Sequence, residues 1–137
     1  MKTTARNTDS LMRKFALLAA VLSLFLTGCI SSRVTSLTTT RQPRNPAGVY
    51  PIEMAWDSNQ QALIDGSVKP YVVIGFDQYP MRPALDIKNR FETVIPVAAD
   101  KNFVVYHFKV DYEYRDFGKP SKSSRLSSSY RLDITDK

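Results

Sequence analysis

The feature that most constrains the fold is the alternation of apolar and polar side chains between residues 102 and 114, which read NFVVYHFKVDYEY. Every even position from Val104 to Tyr114 is apolar or aromatic, and His107, Lys109, Asp111 and Glu113 lie between them. Because successive side chains of a strand point to opposite faces, this pattern predicts a long β-strand with one buried and one solvated face. Such strands are typical of antiparallel sheets that cover a core on one side.

Shorter segments of the same kind surround this strand and are separated by turn residues. They are VYPIEMAW at 49–56, a weak strand QALID at 61–65, VKPYVVIGF at 68–76, RFETVIPV at 90–97 and SYRLDIT at 129–135. No segment after residue 30 has a helical period, and 43% hydrophobic residues in 137 are enough for one core. We therefore expect an all-β protein, an immunoglobulin-like antiparallel β-sandwich of about six or seven strands.

The first 28 residues have the pattern of an export signal. Positive side chains up to Arg13 and Lys14 precede the apolar run FALLAAVLSLFL at 15–26. A membrane-spanning helix needs about 20 apolar residues, so this run is too short to span and is typical of a signal peptide. We assign residues 1–28 to that peptide.

The chain's one cysteine, Cys29, follows directly after this run. The sequence Leu26-Thr27-Gly28-Cys29 resembles the lipobox of bacterial lipoproteins: an aliphatic residue, two small residues and cysteine. The resemblance implies that the Cys29 thiol receives diacylglycerol, that the bond before it is cut, and that acyl chains hold the protein on a membrane. Several acyl chains give stable anchoring where one is marginal.

The resemblance also implies a location in the cell envelope. Ile30 stands where an aspartate would favour retention in the inner membrane, which favours the outer membrane. Residues 30–48 are rich in Ser, Thr and Pro and have no period, so we expect the lipidated cysteine and a flexible tether at 29–47, followed by the β-sandwich at 48–137.

Residues 79–111 resemble the early-set immunoglobulin-like modules that include glycogen-binding domains. The similarity lies in Met81, in Phe91-Glu92, in the turn at 98–101 and in the strand from Tyr106 to Asp111. It implies the same fold, and it makes a glycan-binding surface module an alternative function. The sugar-stacking tryptophans of that family have no equivalent here, since Trp56 lies outside the matched segment.

The residues that could carry catalysis or metal binding are few. His107 is the only histidine, and Asp111 and Glu113 leave the same strand face with basic neighbours. We interpret these as solvated strand residues, the Asp-Phe-Gly triplet at 116–118 as a turn, and Trp56 as a core residue. An enzyme, a metal site and a cofactor are therefore not expected. The net charge is +6, but the basic residues form no dense stripe along the sequence, which argues against nucleic acid as a partner.

A basic surface is expected at one end of the sandwich. If strands reverse at every turn, then the turn at 65–67, the segment 83–89 and a loop at 115–128 share the end at which the tether enters. Six basic residues lie there, and we predict that they face a membrane surface: Lys88, Arg90, Arg115, Lys119, Lys122 and Arg125. Arg41 and Arg44 of the tether would join them, and the turn at 57–60 would lie at the opposite end, which would then face a partner. We expect that partner to be a protein, so that the domain serves protein interaction or structural support.

Overall fold

The computed structural model describes residues 12–14 and 31–136. Residues 12–14 are helical, and in the described part of the chain no helix has the length and apolarity that crossing a membrane requires. Residues Ser31–Lys137 form one compact unit. Its strands are β1 (Ser32–Ser36), β2 (Arg41–Pro43), β3 (Val49–Ser58), β4 (Lys69–Ile74), β5 (Asp77–Pro80), β6 (Arg82–Pro83), β7 (Arg90–Pro96), β8 (Phe103–Asp116), β9 (Lys119–Leu126) and β10 (Tyr130–Thr135).

The strands form two sheets with the order of an immunoglobulin-like sandwich. The smaller sheet has the order β1-β3-β7-β6, and the larger has the order β2-β10-β8-β4-β5 with β9 also paired to β8. Every pair is antiparallel except β2 with β10, which is parallel. The two sheets face each other across one core, as in other sandwiches of this class. The predicted fold class is confirmed, although the number of strands was underestimated.

The core lies between the two sheets and is built from the alternating residues of the long strands. Ile52, Met54, Ile95, Phe108 and Leu132 are fully buried. Trp56 and Tyr106 are 3% exposed, so the prediction that they belong to the core is confirmed. The ring centroids of Trp56 and Tyr112 are 5.5 Å apart, which brings the two sheets into contact near one end of the sandwich.

The predicted tether is wrong from Ser31 onward. β1 pairs with β3 through five residue pairs from Ser32↔Ser58 to Ser36↔Met54, and β2 pairs with β10. Only Val34 in β1 packs on the core, and the other side chains are polar because an edge strand exposes most of its surface. Such a strand is held by backbone hydrogen bonds, which a search for apolar periodicity does not detect.

Pro51 explains why the N-terminal segment is divided between the sheets. Odd residues of β3 turn their backbone groups toward β1, as the hydrogen bond from Leu37 N to Glu53 O (2.9 Å) shows. Pro51 has no N–H to donate in that direction, so pairing with β1 ends before it. The Pro51 carbonyl instead accepts a hydrogen bond from Gln42 Nε2 (3.0 Å), and the chain crosses to the larger sheet as β2.

The predicted loop at 115–128 is also wrong. β8 continues to Asp116, a turn is made by Phe117 and Gly118, and β9 returns beside β8 from Lys119 to Leu126. β9 reads KPSKSSRL, whose polarity suits an edge strand and hides it from hydrophobic patterning. Residues 127–129 then interrupt the strand as a bulge, where Phe108 N donates to Ser127 Oγ at 2.9 Å.

The ends of the sandwich follow from this pairing. The Phe117 end comprises Ser31, residues 59–68, residues 84–89 and the turn at Phe117-Gly118. The Phe76 end comprises residues 44–48, the turn at Gly75-Phe76 and residues 97–102. Residues 61–65 form no strand, only an isolated bridge between Leu63 and Tyr114, so 57–60 lies at the Phe117 end rather than at the far end as expected.

Candidate functional site: two surfaces at opposite ends

The predicted lipidation site, Cys29, and the lipobox residues Leu26, Thr27 and Gly28 lie outside the described residues. The compact unit begins at Ser31, whose N–H donates to Asn59 Oδ1 at 2.6 Å and whose carbonyl accepts from Asn59 N at 3.1 Å. These two bonds fix the entry of the chain at the Phe117 end. The segment that follows Cys29 therefore joins the sandwich at this end.

The six predicted basic residues do not form one cluster. Lys88 and Arg90 lie at the end of the smaller sheet, and Arg115 and Lys119 flank the Phe117 turn. Lys122 is opposite Glu113 on the outer face of the larger sheet, and Arg125 is opposite Val110, far from the turn. Arg125 lines a groove with Arg33 and Val34 of β1 instead. Four of the six thus share the Phe117 end.

Arg41 and Arg44, which the tether hypothesis placed near the membrane, lie toward the Phe76 end instead. The Arg44 guanidinium donates to the carbonyls of Ala99 (2.7 Å) and Lys101 (3.2 Å), to Asn102 Oδ1 (2.8 Å) and to the Asp136 carboxylate. The hydrogen bond and the charge of Arg44 hold the pKa of Asp136 below its usual value. Arg44 therefore joins β2 to the loop before β8 and to the end of β10.

The sequence interpretation missed the apolar side chains at the Phe117 end. Phe117 has a relative exposure of 102%, Leu85 of 88% and Ile87 of 48%. Leu85 and Ile87 belong to the β6–β7 connection, which Ala84 N closes through a 2.9 Å bond to Arg90 O. A usable signal was present in the sequence, because Leu85, Ile87 and Phe117 each stand among turn residues where apolar side chains have no core to enter.

The Phe117 turn has an unusual residue for its geometry. Both central residues have positive φ, 45° at Phe117 and 80° at Gly118, which defines a type I′ hairpin turn. Asn or Gly is preferred at the first central position, since a bulky side chain is strained in this region. Phe117 therefore contributes strain and exposed apolar surface, and it contributes no packing in the described part of the chain.

The outer face of the larger sheet has a charged half near the Phe117 end. Here Lys109 Nζ lies 2.9 Å from Asp111 Oδ2 and 5.6 Å from the centre of the Tyr71 ring. Burial of Asp111 raises its pKa, but hydrogen bonds from Lys109 and Ser124 and the charges of Lys109 and Lys69 outweigh it, so the pKa is lowered. Asp111, Lys69, Tyr71 and Ser124 line a groove of about 520 Å³. Asp111 is thus an ion-paired carboxylate.

The same face has an apolar half near the Phe76 end. Phe103 and Val105 project outward from β8 with exposures of 46% and 48%. The Arg131 guanidinium lies over the Phe103 ring, 4.0 Å from its centre, and Arg131 Nε donates to Asp133 Oδ1 at 2.7 Å. We call Phe103, Val105 and Arg131 the outer patch. His107 separates it from the charged half and is half-buried opposite Val73.

Metal binding finds no support in this geometry. Within residues 12–14 and 31–136, no three His, Cys, Asp or Glu side chains are placed to hold a metal ion. Two exposed surfaces, the apolar and basic Phe117 end and the outer patch, lie toward opposite ends of the sandwich, and the charged groove lies between them on the larger sheet.

The comparisons with known proteins add little to the geometry. No protein-family model matches the sequence, and no curated protein is significantly similar to it. Among solved structures, the chain is similar to murine CRIg with a TM-score of 0.39 and 11% sequence identity, over 77% of this chain and 98% of that chain. The assignment of an immunoglobulin-like sandwich therefore stands on the strand order itself.

Proposed function

We propose that this chain is a lipoprotein of the cell envelope that is anchored through acyl chains on Cys29 and uses its immunoglobulin-like domain to bind a protein. The outer membrane is the favoured location. The anchor is supported by the export signal and the lipobox LTGC. The binding role is supported by one structural observation: the outer patch exposes Phe103 and Val105 toward the Phe76 end, away from the end at which Ser31 enters.

An exposed aromatic ring beneath an arginine is a common element of protein interfaces, in which Arg and aromatic residues are enriched at the centre. The Arg131 side chain is held over Phe103 by Asp133, so less side-chain entropy is lost on binding. The same contact covers the face of Phe103 that a sugar ring would stack on, and Trp56 is 3% exposed. These contacts favour a protein partner over the glycan alternative.

The anchor is tested by mass spectrometry of the full-length protein purified from membranes. We expect processing before Cys29 and an added diacylglycerol and acyl mass on that residue. Cys29→Ser should leave an unprocessed precursor without added lipid. Processing of that variant at the same bond, with partition into detergent like the wild type, would contradict lipid attachment at Cys29.

The binding role is tested by cross-linking in intact cells with matched surface variants. Val105→Glu places a charge in the outer patch, and Val94→Glu places the same charge on an exposed valine of the smaller sheet. We expect a cross-linked protein partner to be lost with Val105→Glu and kept with Val94→Glu. A partner that survives both changes would show that the outer patch is not its binding site.

A further inference from the structure

We propose that the Phe117 end is a membrane-docking surface, in which Phe117 inserts into the head-group region of an anionic bilayer and Arg115 and Lys119 contact lipid phosphates. The proposal rests on the proposed function in one respect, since lipid attachment at Cys29 would hold this end near a membrane. It goes beyond the predicted basic surface because it assigns the main contribution to exposed apolar side chains.

The β8–β9 turn combines an exposed aromatic ring with basic neighbours. Phe117 is fully exposed at the tip of the β8–β9 hairpin, with Arg115 and Lys119 on its two sides. An aromatic ring flanked by basic residues suits the boundary of a bilayer, where the ring enters the interface and the cations meet anionic head groups. The smaller sheet also exposes two aliphatic side chains at this end, Leu85 and Ile87, with the cation of Lys88 beside them.

The hairpin tip and Ser31 lie at the same end of the sandwich. Trp56 of β3 contacts Tyr112 of β8, so these two residues lie at the same height along the sandwich. The strands of the two sheets run nearly parallel to each other in such folds, so distances along β3 and β8 can be compared from this contact. Phe117 is five residues beyond Tyr112, about 16 Å at a rise of 3.3 Å per residue. Ser32 is opposite Ser58, two residues beyond Trp56, and three more residues lead to Cys29. Ser31 therefore lies on the same side of the Trp56–Tyr112 contact as the hairpin tip, and the predicted lipidation site is two residues before it in the sequence.

The Phe117 end carries a small excess of positive charge. Lys88, Arg90, Arg115 and Lys119 share the Phe117 end with Asp65, Asp86 and Asp116. The excess of positive charge is small, so long-range attraction is weak and the cations act near the lipid surface. Binding is expected to need both anionic lipid and the apolar tip, and to be weakened by salt without being abolished.

The experiment uses residues 31–137, which contain the core and every strand pair described above, and vesicles of phosphatidylcholine with or without phosphatidylglycerol. Phe117→Asn removes the ring and creates Asn-Gly, the preferred sequence for this turn, so the hairpin is kept. Phe76→Asn is the matched control, because Phe76 is equally exposed, at 104%, in a two-residue turn at the other end.

We expect binding to the anionic vesicles to fall at least about fivefold for Phe117→Asn, as the loss of one buried aromatic side chain implies, and to be unchanged for Phe76→Asn. Absence of wild-type binding, or equal effects of the two changes, would overturn the docking surface. This fragment lacks Cys29, so neither of these results bears on lipid attachment. Lipid attachment is tested separately by mass spectrometry of the full-length protein.

A second readout reports insertion directly. In Phe117→Trp, lipids with brominated acyl chains should quench the new indole, whereas Trp56 in the wild type is buried and should be quenched little. Equal quenching of the two proteins on vesicles would contradict insertion of the tip.

Discussion

At the scale of single residues, the fold separates side chains that stabilise it from side chains that do not. Phe108 is fully buried and packs against Tyr106 and Tyr130, with ring centroids 5.5 Å away in both cases. Phe117 and Phe76 are as large as Phe108 and contact almost nothing. The same residue type therefore has opposite consequences for stability at these positions.

Phe108→Ala should lower the free energy of unfolding by about 3–5 kcal/mol, because it leaves a cavity between the sheets. Phe76→Ala is the control and should change that free energy very little, since its ring is fully exposed. Urea denaturation of residues 31–137 followed by tryptophan fluorescence measures both. Similar losses for the two variants would contradict the placement of Phe108 in the core.

Phe117→Asn should raise the free energy of unfolding by about 1 kcal/mol, because Asn tolerates the positive φ that strains Phe117. The same urea titration applies, with Phe76→Asn as the comparison. If Phe117→Asn is more stable but no longer binds vesicles, the wild-type protein retains Phe117 for binding although this residue lowers its free energy of unfolding. Destabilisation by Phe117→Asn would argue against the type I′ geometry.

Acid should weaken the fold through Asp111. Its pKa is lowered in the folded state, so its contribution is present above the unfolded value of about 3.9 and is lost as the pH falls through the lower folded value. Asp111→Asn should therefore reduce the loss of stability between neutral pH and about pH 3. Asp77→Asn, at the exposed first residue of β5, serves as the control in the same titration. An unchanged acid dependence in Asp111→Asn would contradict the ion pair with Lys109.

At the scale of strands, the Arg44 contacts decide how firmly the N-terminal segment is attached. Arg44→Ala removes the hydrogen bonds to Ala99, Lys101 and Asn102 and the ion pair with Asp136. We expect faster hydrogen exchange of the β2 and β10 amides, with little change in β3 and β7. Arg41→Ala keeps the backbone pairing and should exchange like the wild type; equal acceleration in both variants would argue against a special role for Arg44.

The strands differ in how far their sequences reveal them. β3 and β8 were predictable because burial on one face imposes the period of two that residues 49–56 and 102–114 show. β1, β2 and β9 were not, because edge strands bury few side chains and their Ser, Thr and Lys residues resemble a linker. The strand wrongly predicted at 61–65 added one chain reversal, which is why Arg41, Arg44 and residues 57–60 were assigned to the wrong ends.

The candidate surfaces were predictable only in part for a related reason. The basic residues Lys88, Arg90, Arg115 and Lys119 were found from their positions in turns, and the pairing brings them to one end. The contact of Arg131 with Phe103 depends on the register between β8 and β10, which no local pattern contains.

At the scale of the whole molecule, the folded unit begins at Ser31. A fragment of residues 48–137 lacks β1 and β2, exposes the edges of both sheets and loses the contact of Val34 with the core. We expect it to melt at a lower temperature than residues 31–137 by circular dichroism. Equal melting temperatures would restore the view that residues 31–47 are only a tether.

The direction of β1 also determines how the domain responds to a mechanical load. β1 enters at the Phe117 end and runs antiparallel to β3, with hydrogen bonds perpendicular to both strands. A pull on Ser31 away from the domain acts along β1, so the bonds between Ser32↔Ser58 and Ser36↔Met54 share the force in shear instead of opening one after another. A domain tethered through this strand would resist tension between a moving membrane and a bound partner.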